Sequence, residues 1–306
     1  DGANAFIEIA GANGTSALRG LTSIASGSLA LTDGAVLTTN SGVSLSNAGQ
    51  IDIGYGGNIS GSTLNVGGGL SNTGTIEVGI LQSDGALNVP GSVTQAGTVM
   101  IGGEGRLAVL NGETYFQTGG TTDVDGTLIA TTLNMSGGTI EGDGTIDGTL
   151  VQTGGNLQPG DDPGSLTING NYAPWDSTFT EEVGGGTAGT DYSVLDVTGG
   201  LDFIGSDMLS LLDLSNFTPT DGEVFDIINA GSIFGTFSNN DIAFAGGTFT
   251  VEYNTSGCNW GAACVDLLWN NAPPVPAAQP SSLLLLGIAL LAGLCIVKRS
   301  RADLRF

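Results

Sequence analysis

The stretch Asn72-Thr73-Gly74-Thr75-Ile76-Glu77-Val78 decides the fold, because a small polar residue and a glycine in it precede a short alternating strand. Related stretches lie on both sides of it, at residues 47–53, 95–101, 136–140 and 152–157. The glycines of these stretches, together with Gly119, are Gly49, Gly74, Gly97, Gly119, Gly137 and Gly154. The interval between consecutive glycines shortens from 25 to 17 residues. The chain therefore contains an internal repeat with a period of about 20 residues.

A second short sequence motif alternates with the first. Its copies are Leu64-Asn65-Val66, Leu87-Asn88-Val89, Leu107-Ala108-Val109 and Leu133-Asn134-Met135. Two or three short strands per repeat, with glycine or asparagine at the corners, are typical of one coil of a parallel β-helix. Side chains alternate along a strand, so Ile76 and Val78 should point inward and Glu77 towards water. Glycines at the corners are expected to adopt positive φ. We predict an all-β, right-handed parallel β-helix over residues 1–190, with an antiparallel sandwich as the alternative.

The rhythm changes from about Tyr192, where glycine pairs become rare and longer apolar runs follow at residues 194–197, 208–212, 224–228 and 265–269. A solenoid must cover its last coil, because that coil otherwise exposes unpaired strand edges and an apolar cross-section. We therefore assign residues 191–269 to a C-terminal β cap.

One part of the chain resembles a known family. The run Gly160-Asp161-Asp162-Pro163-Gly164-Ser165-Leu166-Thr167-Ile168-Asn169-Gly170-Asn171-Tyr172, followed by Asp191-Tyr192-Ser193-Val194-Leu195-Asp196-Val197, is similar to the distal passenger region of autotransporter-type β-helix proteins. Phe217-Thr218-Pro219 and Gly235-Thr236-Phe237-Ser238 extend the resemblance, which covers residues 137–269. It implies a β-helix stem with a stabilising cap, and an adhesive or surface role.

Charge is divided unevenly along the chain, which has a net charge of -24. Four of the six basic residues fall in the last nine positions, and Arg19 and Arg106 are the other two. A body this acidic repels phosphate backbones, so we expect no nucleic-acid partner. The negative charge should keep the body soluble outside the cell by self-repulsion, and it should attract divalent cations.

The C-terminal segment predicts an anchor. Residues 270–282 form a proline-rich linker that should be extended, and residues 283–297 are apolar apart from Gly287 and Gly293. As a helix this run would be about 22 Å long, a little less than a bilayer requires. The basic tail at residues 298–306 places the C-terminus in the cytoplasm by the positive-inside rule. We predict one C-terminal transmembrane helix, with a buried core helix as the alternative.

Linker, apolar helix and basic end together resemble the PEP-CTERM sorting signal of Gram-negative bacteria. Ala278-Gln279-Pro280 stands where that signal has Pro-Glu-Pro, Ser281 follows, and Lys298, Arg299 and Arg301 supply the basic end. The resemblance implies an exosortase-type membrane enzyme as a partner. It also implies anchoring in the inner membrane before processing, and the cell surface or extracellular matrix afterwards. Because Asp1-Gly2-Ala3-Asn4 reads as the middle of the pattern, we expect further sequence before it.

Candidate sites are few. Without histidine, and with lysine only in the tail, general base catalysis would rest on carboxylates. Acids suited to such a role in a β-helix glycosidase are Glu141, Asp143, Asp147, Asp161 and Asp162. Weak Ca²⁺ binding would use Asp143, Asp147, Asp161 and Asp162, with Asp123 and Asp125 as further ligands. Exposed turns explain the same acids without any chemistry. Cys258 and Cys264 are spaced for a small disulfide loop in an oxidising compartment, with two free thiols as the alternative.

These features predict a non-enzymatic exported surface or matrix protein with a structural or adhesive role in biofilm, floc or exopolysaccharide association. No cofactor is expected beyond possible Ca²⁺. A polysaccharide-degrading β-helix enzyme that uses paired carboxylates is the first alternative. A spacer that presents an N-terminal domain is the second.

Overall fold

The computed structural model of the chain describes residues 6–10, 16–55, 61–160, 162–258 and 261–271. Within these residues the protein is all-β, apart from one turn of 3-10 helix at Ser16–Leu18. The strands in chain order are β1 (Phe6–Ala10), β2 (Ser23–Ile24), β3 (Ser28–Thr32), β4 (Val36–Thr38), β5 (Leu45–Asn47), β6 (Gln50–Ile53), β7 (Ser62–Asn65), β8 (Leu70–Asn72), β9 (Thr75–Val78), β10 (Gly85–Val89), β11 (Val93–Gln95), β12 (Thr98–Ile101), β13 (Gly105–Val109), β14 (Thr114–Gln117), β15 (Thr121–Val124), β16 (Thr127–Met135), β17 (Thr139–Gly142), β18 (Thr145–Gln152), β19 (Asn156–Pro159), β20 (Ser165–Asn169), β21 (Tyr172–Pro174), β22 (Thr178–Val183), β23 (Val194–Asp202), β24 (Met208–Asp213), β25 (Val224–Phe234), β26 (Asp241–Phe244), β27 (Gly247–Asn254) and β28 (Ala263–Asn270).

Ten of these strands form one sheet, which we call row A. It contains β1, β3, β6, β9, β12, β15, β17, β19, β22 and β24 in that order. Every pairing in row A is parallel, and each strand pairs with the equivalent strand of the next repeat. Ile76, for example, lies between Ile51 of the preceding repeat and Val99 of the following one.

Two further parallel rows lie in the second sheet. Row B passes through β4, β7, β10, β13, β16, β18, β20, β23 and β25, and row C through β2, β5, β8, β11, β14, β16, β18, β21, β23 and β25. The long strands β16, β18, β23 and β25 belong to both rows. The chain thus visits rows A, B and C in turn, an arrangement consistent with a parallel β-helix. The all-β prediction is confirmed, the antiparallel sandwich is wrong, and the right hand of the winding stays a prediction.

The side-chain alternation expected from the sequence is confirmed in row A. Ile76 and Val78 are fully buried, whereas Glu77 between them is partly exposed. The inward position of Ile76 is repeated in each coil by a register partner, and these partners are Leu29, Ile51, Val99, Thr122, Ile140, Leu157, Phe179 and Leu209. Each large apolar member contributes about 1.5–3 kcal/mol by burial. The repeat therefore builds a continuous core along the stack.

Glycines at the corner before row A are needed because backbones of successive coils nearly touch there. A Cβ atom on Gly74 would lie 2.1 Å from the carbonyl oxygen of Gly49, and one on Gly97 would lie 2.1 Å from that of Gly74. Positive φ, the reason predicted from the sequence, applies in this stack at Gly27, Gly120, Gly138 and Gly155 but not at Gly49, Gly74 or Gly97. For Gly74 that reason is wrong, and close approach replaces it.

A ladder of buried amides, which the sequence analysis did not foresee, links the coils beside this corner. The Nδ2 of Asn47 donates to Oδ1 of Asn72 at 2.8 Å, and Nδ2 of Asn72 donates to Oε1 of Gln95 at 2.7 Å. The same two nitrogens also donate to the backbone carbonyls of Thr75 and Thr98. All three amide side chains are inaccessible to solvent. In the following coils, the successive register partners of Gln95 are Gln117, Met135 and Gln152.

The second sequence motif divides between rows. Leu64, Leu87 and Leu107 are register partners in row B, but the next partner is Leu128. Leu133, taken from the sequence as the fourth copy, lies in row C beside Tyr115. The assignment failed because the later coils are shorter, so the same motif falls at a different place around the coil.

The last described strands form an antiparallel cap sheet, β25 to β28. In it β25 pairs with β28, β28 with β27, and β27 with β26. Parallel pairing continues past residue 190 as far as β25, so the pairing direction changes later than the composition does. On the inner side, Phe249 packs against Phe225 and Trp269 with ring centroids 5.4 and 4.9 Å away. This aromatic cluster covers the end of the core.

Replacing Gly74 with Ala should destabilise the whole stack, because the added methyl group must push two backbones apart. We expect a loss of about 1–3 kcal/mol or more in the free energy of unfolding, measured by urea denaturation. Gly103→Ala is the matched control, since nothing lies within 4 Å of a Cβ placed there. It should change stability by less than about 0.5 kcal/mol. Equal effects of the two variants would contradict the close-approach explanation.

Candidate functional site

The predicted sorting and anchor residues lie outside the described residues. These are Ala278, Gln279, Pro280 and Ser281, the apolar run at 283–297, and the basic end at Lys298, Arg299 and Arg301. Asp161 lies outside them as well. Within the described ranges, no helix has the length and apolar character needed to span a bilayer.

The two candidate cysteines are joined in the structure. Cys258 and Cys264 form a disulfide with their Cα atoms 5.6 Å apart. Cys264 is fully buried in β28, and Cys258 lies in the segment that connects β27 to β28. The bond therefore ties this connection to the cap sheet.

The described acids proposed from sequence as a joint carboxylate or calcium site are spread around the coil. Asp143 lies exposed in the turn between β17 and β18, and Asp162 lies exposed before β20 with φ 64°. Asp147 points out from β18 and accepts a hydrogen bond from Asn169 at 2.7 Å. Glu141 lies on row A. The structure does not bring these side chains into one group.

Two of the acids proposed from sequence, Asp123 and Glu141, line up with Asp52 and Glu77 on the outer face of row A. We call these four residues the acidic ladder. Asp52 is the register partner of Glu77, and Asp123 is that of Glu141. Met100 separates the two pairs. Paired strands lie about 4.8 Å apart, so each pair holds two carboxylates side by side. The sequence showed the single acids, but their pairing depends on coil length.

Burial and mutual repulsion perturb the first pair. Burial raises the pKa of Asp52 above its ordinary value, opposed by a hydrogen bond of 2.8 Å from Nε2 of Gln50. Burial also raises the pKa of Glu77, and the charge of Asp52 adds to that rise. Such pairs can hold cations loosely or accept hydrogen bonds from sugar hydroxyls.

Several acids are buried, so the expectation that acids face water is wrong for them, and Glu181 is the most completely buried. Glu181 is fully buried between the inward side chains of Phe179 and Val183, and neither carboxyl oxygen has a hydrogen-bond partner. Burial raises its pKa well above the ordinary value, and the charge of Glu182 adds to the rise. Burial therefore favours the neutral form of this carboxyl group.

Exposed apolar side chains form what we call the apolar edge, at the ends of the last row C strands. Trp175, Ile204 and Phe234 are 51%, 56% and 73% exposed. Backbone hydrogen bonds from Ile204 to Pro174 and from Phe203 to Phe234 place them in successive coils. Next to Trp175, Asp176 accepts hydrogen bonds from the indole nitrogen and from the backbone of Ser206. The apolar edge thus combines exposed apolar side chains with a neighbouring carboxylate.

Glu181→Gln should weaken the pH dependence of stability. A carboxyl with a raised folded-state pKa stabilises fully below its unfolded value, ordinarily 4.5, and this stability is lost as pH rises through the folded value. The wild-type urea midpoint should therefore decrease as pH rises above the ordinary carboxyl values, since burial also raises the pKa of Asp52, Glu77, Asp196 and Asp266. The variant should lose less stability over the same rise in pH.

The exposed Glu104 provides the control for this measurement. Glu104→Gln should keep the wild-type dependence, because its carboxyl stays in water in both states. A Glu181→Gln protein with the same slope as the wild type would show that Glu181 is already paired or hydrated in the folded protein.

Comparison with known proteins identifies no relative of this chain. No protein-family model matches the chain, and a search of curated proteins finds no match.

Proposed function

We propose that the protein is a non-enzymatic exported surface or extracellular-matrix protein, built as a right-handed β-helical stalk with a structural and adhesive role. The observation that carries the proposal is the unbroken parallel pairing of row A from β1 to β24. Ten strands at about 4.8 Å per step span roughly 43 Å along the stack. Hydrogen bonds run along this whole length, which suits a stiff spacer that holds a surface away from the cell.

The surface of the stalk supports a glycan partner. Acidic side chains on row A repel anionic polymers, so the favoured partner is a neutral or amine-bearing exopolysaccharide. Trp175 and Phe234 offer exposed aromatic faces for the apolar faces of sugar rings, and Asp176 lies beside them. Biofilm, floc or matrix association follows from such binding.

Export and sorting are inferred from the disulfide and the tail. A disulfide between Cys258 and Cys264 suits an oxidising compartment outside the cytoplasm. The linker, apolar run and basic end at residues 270–306 act in this proposal as the signal for an exosortase-type enzyme. The protein is then anchored in the inner membrane of a Gram-negative bacterium until processing, and afterwards lies at the surface or in the matrix.

The sorting step can be tested with an epitope inserted before Pro273 in hosts with and without an exosortase. We expect a shortened body in the medium only when the enzyme is present. Replacing Lys298, Arg299 and Arg301 with Gln, as a variant of the basic end, should abolish this release. Membrane attachment in both hosts would contradict processing, while release without the enzyme would indicate a different protease.

Adhesion can be tested by retention of the protein on immobilised exopolysaccharide from its host. Trp175→Ala with Phe234→Ala should reduce retention about tenfold or more, because each lost stacking contact removes binding energy. Tyr55→Ala is the matched control, since Tyr55 is 48% exposed away from the apolar edge. Equal retention of all variants would contradict the assigned surface.

The same assay addresses the alternative of a polysaccharide-degrading enzyme. The specific observation in its favour is the Asp52 and Glu77 pair, since retaining glycosidases use two neighbouring carboxylates. If the protein released new reducing ends from the polymer, and Glu77→Gln abolished this release, the enzyme would replace the adhesive proposal. We expect the wild type to release no reducing ends.

A further inference from the structure

The cap sheet brings three acids together on one side. Asp266 of β28 pairs across the sheet with Asp226 of β25, and on its other side with Glu252 of β27. These residues are 40 and 14 positions away from Asp266 in the sequence, so only the antiparallel pairing makes them neighbours. Like charges directly opposite each other destabilise a sheet unless something compensates them.

The carboxylates of Asp226 and Asp266 are close enough to share one ion. An oxygen of each and the Sγ of Cys264 all lie within 4.8 Å of one another. Among the described residues, this is the one group of three or more potential ligand side chains with such spacing. Because the sulfur of Cys264 belongs to the disulfide, it is not available as a thiolate. The remaining ligand atoms are oxygens, which suit a hard cation.

A second observation points to a missing partner at this place. Asp266 is 8% exposed, and its Oδ1 is inaccessible to solvent without any hydrogen-bond partner. Its Oδ2 accepts a hydrogen bond of 2.7 Å from Nδ2 of Asn254. The asparagine thus orients the carboxylate and leaves Oδ1 unused.

Basic side chains are scarce in the described part of the chain. The Lys and Arg side chains in the described part of the chain are Arg19 and Arg106, both in the N-terminal half of the sequence. Arg106 donates to Asn88 in row B. A bound cation would therefore offset the cost of burying the carboxylate of Asp266, which is several kcal/mol for a buried charge.

We propose that Asp226 and Asp266 bind a divalent cation of the calcium class, with Glu252 as the adjacent third carboxylate. Ca²⁺ fits better than Mg²⁺, because it accepts six to eight oxygens in flexible geometry, including bidentate carboxylates and water. The ion joins β25, which ends the parallel stack, to β27 and β28 of the cap. It therefore fastens the cap to the stalk, independently of what the stalk binds.

The test is thermal unfolding of the full chain, freed of metal with a chelator and then titrated with Ca²⁺ or Mg²⁺. We expect Tm to rise by about 5 °C or more in about 5 mM CaCl₂ and clearly less in MgCl₂. Asp226→Asn and Asp266→Asn should each lose most of this rise. Asp143→Asn and Asp147→Asn are matched controls outside the cap and should keep it.

Three results would overturn the proposal. The first is a Tm that Ca²⁺ does not move. The second is a shift that survives in the double variant of Asp226 and Asp266. The third is a pair of neutral variants that are more stable than the wild type with or without Ca²⁺, which would mean that the two carboxyls share a proton instead. Where a variant fails to fold, calorimetric titration of the wild type with Ca²⁺ decides, since one site per chain supports the proposal and no binding removes it.

Discussion

Backbone contact at the glycine corner is the constraint on which the rest of the structure depends. Where Gly74 passes over Gly49, the gap between coils has no room for a methyl group. The missing side chain lets the coils approach to hydrogen-bonding distance, with the N–H of Thr75 donating to the carbonyl oxygen of Gly49 at 2.8 Å, and row A pairs in this register. With that register in place, inward side chains such as Ile51 and Ile76 meet, and the core becomes continuous. A bulkier corner would separate both the backbones and the core.

The burial of polar groups inside this stack is compensated for the amides but not for Glu181. The amides of Asn47, Asn72 and Gln95 satisfy each other and nearby carbonyls, so burial costs them little and register is reinforced at each step. Glu181 occupies a buried position without such partners, and burial raises its pKa and so favours its neutral form. One arrangement stabilises the stalk at every pH, whereas the other makes its last coils sensitive to pH.

The two halves of the molecule use negative charge differently. On row A the acidic ladder lies along the outer face, where carboxylates such as Glu77 keep partial contact with water. In the cap, Asp226 and Asp266 are almost excluded from water and are placed to share a cation. The apolar edge at Trp175 and Phe234 lies on the last coils, between these two regions of the chain. The acidic ladder, the apolar edge and the carboxylates of the cap thus lie on different surfaces of the protein.

The sequence by itself determined the β class, the repeat, the alternation of Ile76, Glu77 and Val78, and the pair of cysteines, because each of these depends on residues close together in the chain. Only the tertiary structure decided which residues meet between coils. It placed Leu128 rather than Leu133 above Leu107, set Asp52 beside Glu77, buried Glu181, and joined Asp226 to Asp266. The physical reason is that these neighbours depend on the number of residues in each coil and on the reversal of direction in the cap. Neither quantity is encoded in a local pattern of polar and apolar residues.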